Sequence, residues 1–124
     1  MIVGVFSVRR RPDLDEANYA ALSDRMWDIV SSHREFGLIG ITGYKSEDGR
    51  ALTMAFFEDR DRMIAWKQQV EHAAAQQQGR EAFFLDYWGF VAEMVEAYEF
   101  ETGTGRRRVP LDSRWCPQGF DAPA

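Results

Sequence analysis

The chain has little of several things that small proteins use for bracing or for chemistry. Its 124 residues include one cysteine, Cys116, so no internal disulfide and no cysteine-clustered zinc site can form, and a reducing, cytoplasmic setting is expected. It has no excess of basic side chains: the formal net charge is -5, and without a basic patch to neutralise phosphates nucleic acid is not an expected partner. No apolar run approaches the roughly 20 residues of a membrane span, so no membrane partner is expected. Residues 1–8 are apolar but short, lack a leading basic segment and run straight into Arg9, Arg10 and Arg11, so no signal peptide is expected.

What is present describes one globular domain: 45% hydrophobic, 14% aromatic and 28% charged residues, in a length that buries a core without needing two. Charge is unevenly shared. Residues 1–105 hold 11 basic and 18 acidic side chains, whereas residues 106–124 hold four arginines against Asp112 and Asp121. The shift falls beside Gly103 and Gly105, with Pro110, Pro117 and Pro123 following. Residues 1–102 therefore read as the domain and 103–124 as an irregular C-terminal extension. The run Arg106-Arg107-Arg108 reads as solvated or docked on the acidic body, and Trp115 and Phe120 predict that the extension packs rather than floats.

Residues 2–8 read as a strand with apolar side chains on both faces. Asp13 with Glu16 reads as a helix start, and Tyr19, Leu22, Met26, Ile29 and Val30 recur at threes and fours as the buried stripe of a helix reaching about Ser32. Two apolar runs, 38–45 and 51–57, flank Glu47-Asp48-Gly49, a strong hairpin signal. A second helix starts near Asp59 with Met63, Trp66 and Val70 on one face, and Gly79 breaks or bends it. Residues 87–100 read as a long last strand, with Trp88, Phe90, Ala92 and Met94 on one side and Val91 and Val95 on the other.

The order is βαββαβ, an α+β ferredoxin-like arrangement. Two helices cover one face of a four-stranded sheet, yet the strands are apolar on both. The second layer must come from elsewhere, most economically from a second copy of the chain. The helix side would hold a cleft for a flat apolar ligand.

Taken together, Phe36-Gly37-Leu38-Ile39-Gly40, the Glu47-Asp48-Gly49 turn, the strand from Thr53 to Glu58, Ala65-Trp66, Glu71-His72, Ala75-Gln76, Gly79-Arg80 and the stretch from Tyr87 to Tyr98 resemble the antibiotic-biosynthesis-monooxygenase superfamily, over roughly residues 1–100. The resemblance implies a homodimeric α+β barrel with back-to-back sheets and a cleft on each protomer's helix side. It fixes no substrate.

Two enzyme types within the superfamily bear on the site. Its haem-degrading members use an Asn in the first strand, a Trp on the second helix and an axial His about three turns beyond. Trp66 fits the Trp, but Ser7 stands where the Asn would be and Gln76 falls near the His position, two departures in three for a site that needs an imidazole ligand. Its quinone-forming members oxidise polycyclic phenols with dioxygen and no cofactor, because an electron-rich phenolate itself passes an electron to dioxygen once the protein desolvates and ionises it. In that mode His72 is the candidate base, Arg80 holds the developing anion, and Trp66, Trp27, Trp88 and Phe90 supply flat apolar walls. No metal is expected: Glu93, Glu96 and Glu99 spread over both faces of one strand. His33 ends the first helix, where a cation complements the macrodipole.

The expected function is a cofactor-independent monooxygenase acting on a small aromatic or polycyclic substrate. The alternatives are a haem-binding or haem-degrading monooxygenase and a non-catalytic dimeric module that binds a hydrophobic small molecule. Trp66 itself has the spacing of a core residue. Positions 66 and 72 stand about 120° apart on an ideal helix, so they share one cleft only if the helix bends or breaks between them or if the cleft wraps around the helix.

Overall fold

The computed structural model describes residues 1–123, and of Val70 the backbone only. The placement of the Val70 side chain on the second helix's buried face thus lies outside the described part. The elements in order are β1 (Ile2–Arg10), α1 (Glu16–Ser32), a 3-10 turn (Arg34–Phe36), β2 (Leu38–Lys45), β3 (Ala51–Phe57), α2 (Arg60–Gln68), α3 (Val70–Gln78), a π-helical turn (Gly79–Phe83), β4 (Phe84–Glu93), β5 (Ala97–Glu101) and β6 (Gly105–Val109). Strands β2, β3, β1 and β4 lie side by side in that order, every neighbouring pair antiparallel. This is the ferredoxin-like α+β arrangement expected from the element order.

Alternation along β1 divides the sheet into two faces. Ile2 packs with Ile29, Val30, Phe36, Leu38, Phe57, Met63 and Trp66 into the main core, so the even-numbered positions of β1 face the helices. Burying each large apolar side chain there contributes about 1.5–3 kcal/mol. The β2–β3 hairpin turns at Gly49, whose φ of 84° suits glycine and strains other residues.

Local chemistry moved several boundaries. Helix α1 is capped by Asp15, not Asp13: the Asp15 carboxylate accepts the Asn18 N–H at 3.1 Å, a contact worth about 1 kcal/mol. The second helix is two helices, broken at Gln69. The long last strand expected over 87–100 starts earlier, at Phe84, and ends at Glu93, leaving Met94 and Val95 outside it. The chain then forms a separate two-stranded hairpin, β5 with β6.

That hairpin makes the C-terminal extension less irregular than its composition suggests. Arg107 pairs with Glu99 at 2.5 Å, Arg106 and Arg108 lie within 3.8 and 3.6 Å of Glu96, and the Arg106 guanidinium sits 4.6 Å over the Tyr98 ring. The arginine run therefore finds its acidic partners on β5 and in the bend just before it.

The rest of the extension returns to the helix-free face. The Phe120 ring stacks on Phe56 at 5.3 Å with Trp115 beside it at 6.4 Å, and the Trp115 indole N–H donates to Glu99 at 2.9 Å. Arg114 donates to the Leu38 carbonyl at 2.9 Å and pairs with Glu58. Asp121 exchanges both backbone hydrogen bonds with Ile41, each 2.9 Å, and so blunts edge strand β2. Gly40 lets this happen: a Cβ there would stand 2.7 Å from the Cys116 Sγ. The chain thus supplies part of its own second layer.

Candidate functional site

The helix break at Gln69 creates the most specific side-chain arrangement in the molecule. Gln69 has extended backbone (φ -61°, ψ 132°). Its N–H closes the last turn of α2 by donating to the Trp66 carbonyl at 3.2 Å. Its side-chain carbonyl caps α3 by accepting the His72 N–H at 2.7 Å. The turn brings His72 onto the Trp66 ring, centroids 4.1 Å apart and planes within 10°. Phe36 packs against Trp66 at 5.3 Å.

This placement decides the chemistry of His72. Its Nδ1 lies 3.0 Å from the Trp66 carbonyl oxygen, which can only accept, so Nδ1 carries the proton and Nε2 holds the lone pair. Burial pushes the imidazole below its ordinary pKa of 6.5; the Trp66 carbonyl opposes this shift and Lys67 adds to it. Nε2 has no hydrogen-bond partner and is not sealed from solvent among the described residues. A neutral imidazole with one free lone pair is a general base in waiting.

Trp66 itself is only 9% exposed and belongs to the core. Trp27 is half-buried against the same cluster. The open part of the helix side lies farther along β1. A Cβ built on Gly4 would meet nothing within 4 Å, although Gly4 sits in the sheet interior on the same face as Ile2. Gly4 lies two positions along β1 from Ile2 of the core, about 7 Å, so the open space begins near the core's edge at Ile2. Ala55 and Val91, the register partners of Gly4, complete its floor.

Other candidates do not join this group. Arg80 lies on the π-helical turn and donates to the Tyr87 hydroxyl at 3.2 Å. About eight helical residues separate it from His72, roughly 12 Å. Trp88 and Phe90 stack on each other at 6.2 Å but pair in register with Ser7 and Val5, positions of opposite parity to Ile2. They therefore lie on the helix-free face and cannot wall a cleft that contains Trp66.

Ser7 faces the same way. It is 1% exposed because Arg50 folds over it, donating to its Oγ at 2.7 Å while also reaching Asp86 at 2.8 Å. The Arg50 guanidinium and its hydrogen bond hold the Asp86 carboxyl below the usual carboxylate range. For the haem alternative, then, Ser7 points away from the helices and Gln76 offers an amide where an axial imidazole is needed. The residues present do not fit that group. His33 ends α1 as expected, its Nδ1–H donating to the Ile29 carbonyl at 2.9 Å. Glu96 and Glu99 are taken up by the hairpin arginines.

Of the cavities among the described residues, one is lined in part by Gln69 and Phe36 of this group and another lies away from it. One of about 390 Å³ opens between the end of α1 and the start of α3, crossed by the Arg25–Glu71 ion pair and floored by Ile29 and Phe36. A second, of about 220 Å³, lies between the extension and Met1.

Sequence reasoning passed over Gln69 and Gly4. Each left a signal: the offset of about 120° between positions 66 and 72 made a bend or break between them one of two ways to bring them into one cleft, and a glycine inside an apolar strand marks close approach or open space.

No protein-family model matches the chain. By sequence it is similar to the uncharacterized protein YqjZ of Bacillus subtilis, 24% identical over 90 residues that cover 73% of this chain and 77% of YqjZ. By structure it is similar to Rv0793 of Mycobacterium tuberculosis (TM-score 0.64, 18% identity, 77% of this chain and 96% of that one). It is also similar to SnoaB, a cofactor-independent oxygenase from Streptomyces nogalater solved in a mutant form (TM-score 0.62, 12% identity, 77% and 94%). A dimeric protein of unknown function and ferredoxin-like fold from Bacteroides fragilis matches at TM-score 0.53 and 11% identity, over 75% and 95%. No helix among the described residues is long and apolar enough to cross a membrane. The sheet order, the helix layer and these likenesses agree that this chain has the ferredoxin-like fold of the antibiotic-biosynthesis-monooxygenase proteins.

Proposed function

We propose that this chain is a cofactor-independent oxygenase that oxidises a small aromatic or polycyclic phenol with dioxygen, working as a homodimer. The observation that carries the reading is His72: neutral, tautomerically fixed by the Trp66 carbonyl, stacked on the Trp66 ring and open at Nε2, on the side of the sheet where Gly4 leaves open space. In the reaction envisaged, Nε2 takes the substrate's hydroxyl proton. The phenolate gives one electron to dioxygen, and the radical pair recombines as a peroxide at a ring carbon. Loss of that carbon's hydrogen with cleavage of the O–O bond leaves a quinone carbonyl and one water. The substrate supplies every electron, so the protein needs only to ionise it and keep water away. Likeness in fold to SnoaB agrees with this chemistry. Arg80, on the π-helical turn about 12 Å from His72, would meet the far end of a polycyclic substrate, and Trp27 its flank.

The dimer reading rests on the helix-free face. Trp88 is 47% and Phe90 52% exposed there, adjacent aromatic side chains of the kind that mark an interaction surface, and the extension covers only the end near Phe56. Stable interfaces bury about 1,600 Å² or more in total, and the sheet face together with the Tyr98 and Phe100 side of the hairpin offers surface for that.

Oxygen uptake with a panel of hydroquinones and anthrone-type phenols tests the activity. Uptake that disappears in His72→Gln supports it. A second reading, a non-catalytic module that holds such a molecule, draws on the low exposure of Trp66; tight binding without oxygen uptake by any panel member would favour it.

A further inference from the structure

We infer that Gln69 is a positioning residue for His72: its combined role as end of α2 and cap of α3 sets the tautomer and the ring plane in which His72 meets a substrate. This rests on the oxygenase reading for its functional consequence, but not for its structural one. In an unbroken helix, residues 66 and 72 would be about 120° apart around the axis and about 9 Å apart along it. Their rings could not lie face to face at 4.1 Å. An unbroken helix would also commit the Trp66 carbonyl to the backbone N–H of residue 70. Here Gln69 takes up that carbonyl with its own N–H, and the chain's change of direction leaves the remaining lone pair to His72 Nδ1 at 3.0 Å.

The choice of residue is itself informative. Glutamine is not among the usual helix N-caps, which are Ser, Thr, Asp and Asn, and it is a good helix former. Left to propensity alone, the run from Trp66 to Gln78 would continue as one helix. What holds the break is the 2.7 Å bond from the His72 N–H to the Gln69 side chain together with the stack itself, so the cap grips the residue whose ring it aims.

The free imidazole prefers the proton on Nε2, so a dominant Nδ1–H form in the intact protein is a direct mark of this geometry. Two-dimensional 15N NMR on the wild type, with assignment by His72→Gln, should show Nδ1–H as the major neutral form, and ring protons of His72 shifted upfield by the Trp66 face. Gln69→Ala removes the cap and favours helix continuation. It should shift the tautomer towards Nε2–H and abolish the upfield shift, while Gln69→Asn, a strong cap, should retain both. If the oxygenase reading holds, kcat falls about tenfold or more in Gln69→Ala with KM changed less than about twofold. Inactivity of every variant with an intact NMR signature would sink the oxygenase reading and leave the positioning role standing. A wild type with Nε2–H as the major form, or a Gln69→Ala protein with unchanged tautomer and ring shifts, would overturn the positioning role. Should Gln69→Ala fail to fold, the wild-type tautomer and Gln69→Asn decide it alone.

Discussion

The two faces of the one sheet carry aromatic side chains for opposite reasons. On the helix side, Trp66 is 9% exposed and enclosed by Phe36, Met63 and Phe57, and the ring laid flat on it is the His72 imidazole. On the helix-free side, Trp88 and Phe90 are about half exposed and lie flat on each other, with Arg50 at 5.8 Å from the Trp88 ring as their polar neighbour. The first pair of rings is finished within the chain. The second waits for a surface. An aromatic residue counted from sequence as a ligand wall is therefore one of three things, core, interface or site, and the face decides which.

The sharpest way to test this contrast is to truncate one Trp on each face. Trp66→Ala should cost about 3–5 kcal/mol in chemical denaturation, whereas Trp88→Ala should cost less than about 1 kcal/mol in the monomer. Equal losses would erase the distinction.

His72→Gln should cost about 1–2 kcal/mol of stability, because it removes the stack on Trp66 and the Nδ1–H bond, and lower kcat by about a hundredfold or more. Because burial depresses the folded imidazole below 6.5, the neutral base persists throughout the range above that value. Activity should hold a plateau there and fall on the acid side below it. The stability linkage has the same direction: the unfolded state binds the proton first, so folding weakens as pH drops below the ordinary 6.5 and the loss is complete below the folded value. An acid limb lying above about pH 7 would contradict the assignment.

Charges placed on the waiting face should separate copies without unfolding them. Trp88→Glu with Phe90→Glu is expected to weaken self-association about a hundredfold or more, read by sedimentation velocity, with the circular dichroism spectrum unaltered. A wild-type protein that sediments as a monomer at micromolar concentration would remove the dimer.

The smallest effect concerns the end of the face that the chain covers itself. Deleting residues 111–124 uncovers Phe56 and frees the β2 edge, and the melting temperature should fall by several degrees, about 1–2 kcal/mol. Acid should loosen the same contact. The Trp115 N–H and then Arg107 hold the Glu99 carboxyl below its ordinary 4.5, so the contribution is present above that pH and lost as pH falls through the folded value. Trp115 fluorescence that does not change between about pH 6 and about pH 3 would count against the docked geometry.

Much of the fold was legible. The Val and Ile runs, the Asp48-Gly49 turn and the helix start near Asp59 each rest on neighbours in sequence, and β2, β3 and the start of α2 stand where those signals put them, while the cap of α1 falls two residues later than Asp13. The last strand differs from expectation because residues 87–100 keep strand-like composition straight through the bend at 94–96, and nothing local distinguishes one strand from two. In the candidate site, His72 and Trp66 were legible and do meet. Trp88 and Phe90 group with them by residue type although they belong across the sheet, since a side chain's face depends on register with β1 and not on its own neighbours. Arg80 sits apart because the π-helical turn sends it to Tyr87.

The amino-acid sequence by itself determined the element order, the alternation that makes both sheet faces apolar, and the pairing of an acidic body with a basic extension, because each follows from contacts among residues a few positions apart. Only the tertiary structure decided which face each strand residue occupies and that the extension lies on Phe56. Those outcomes turn on partners as distant along the chain as Asp121 is from Ile41, whose geometry exists only once the sheet and helices have closed around one core.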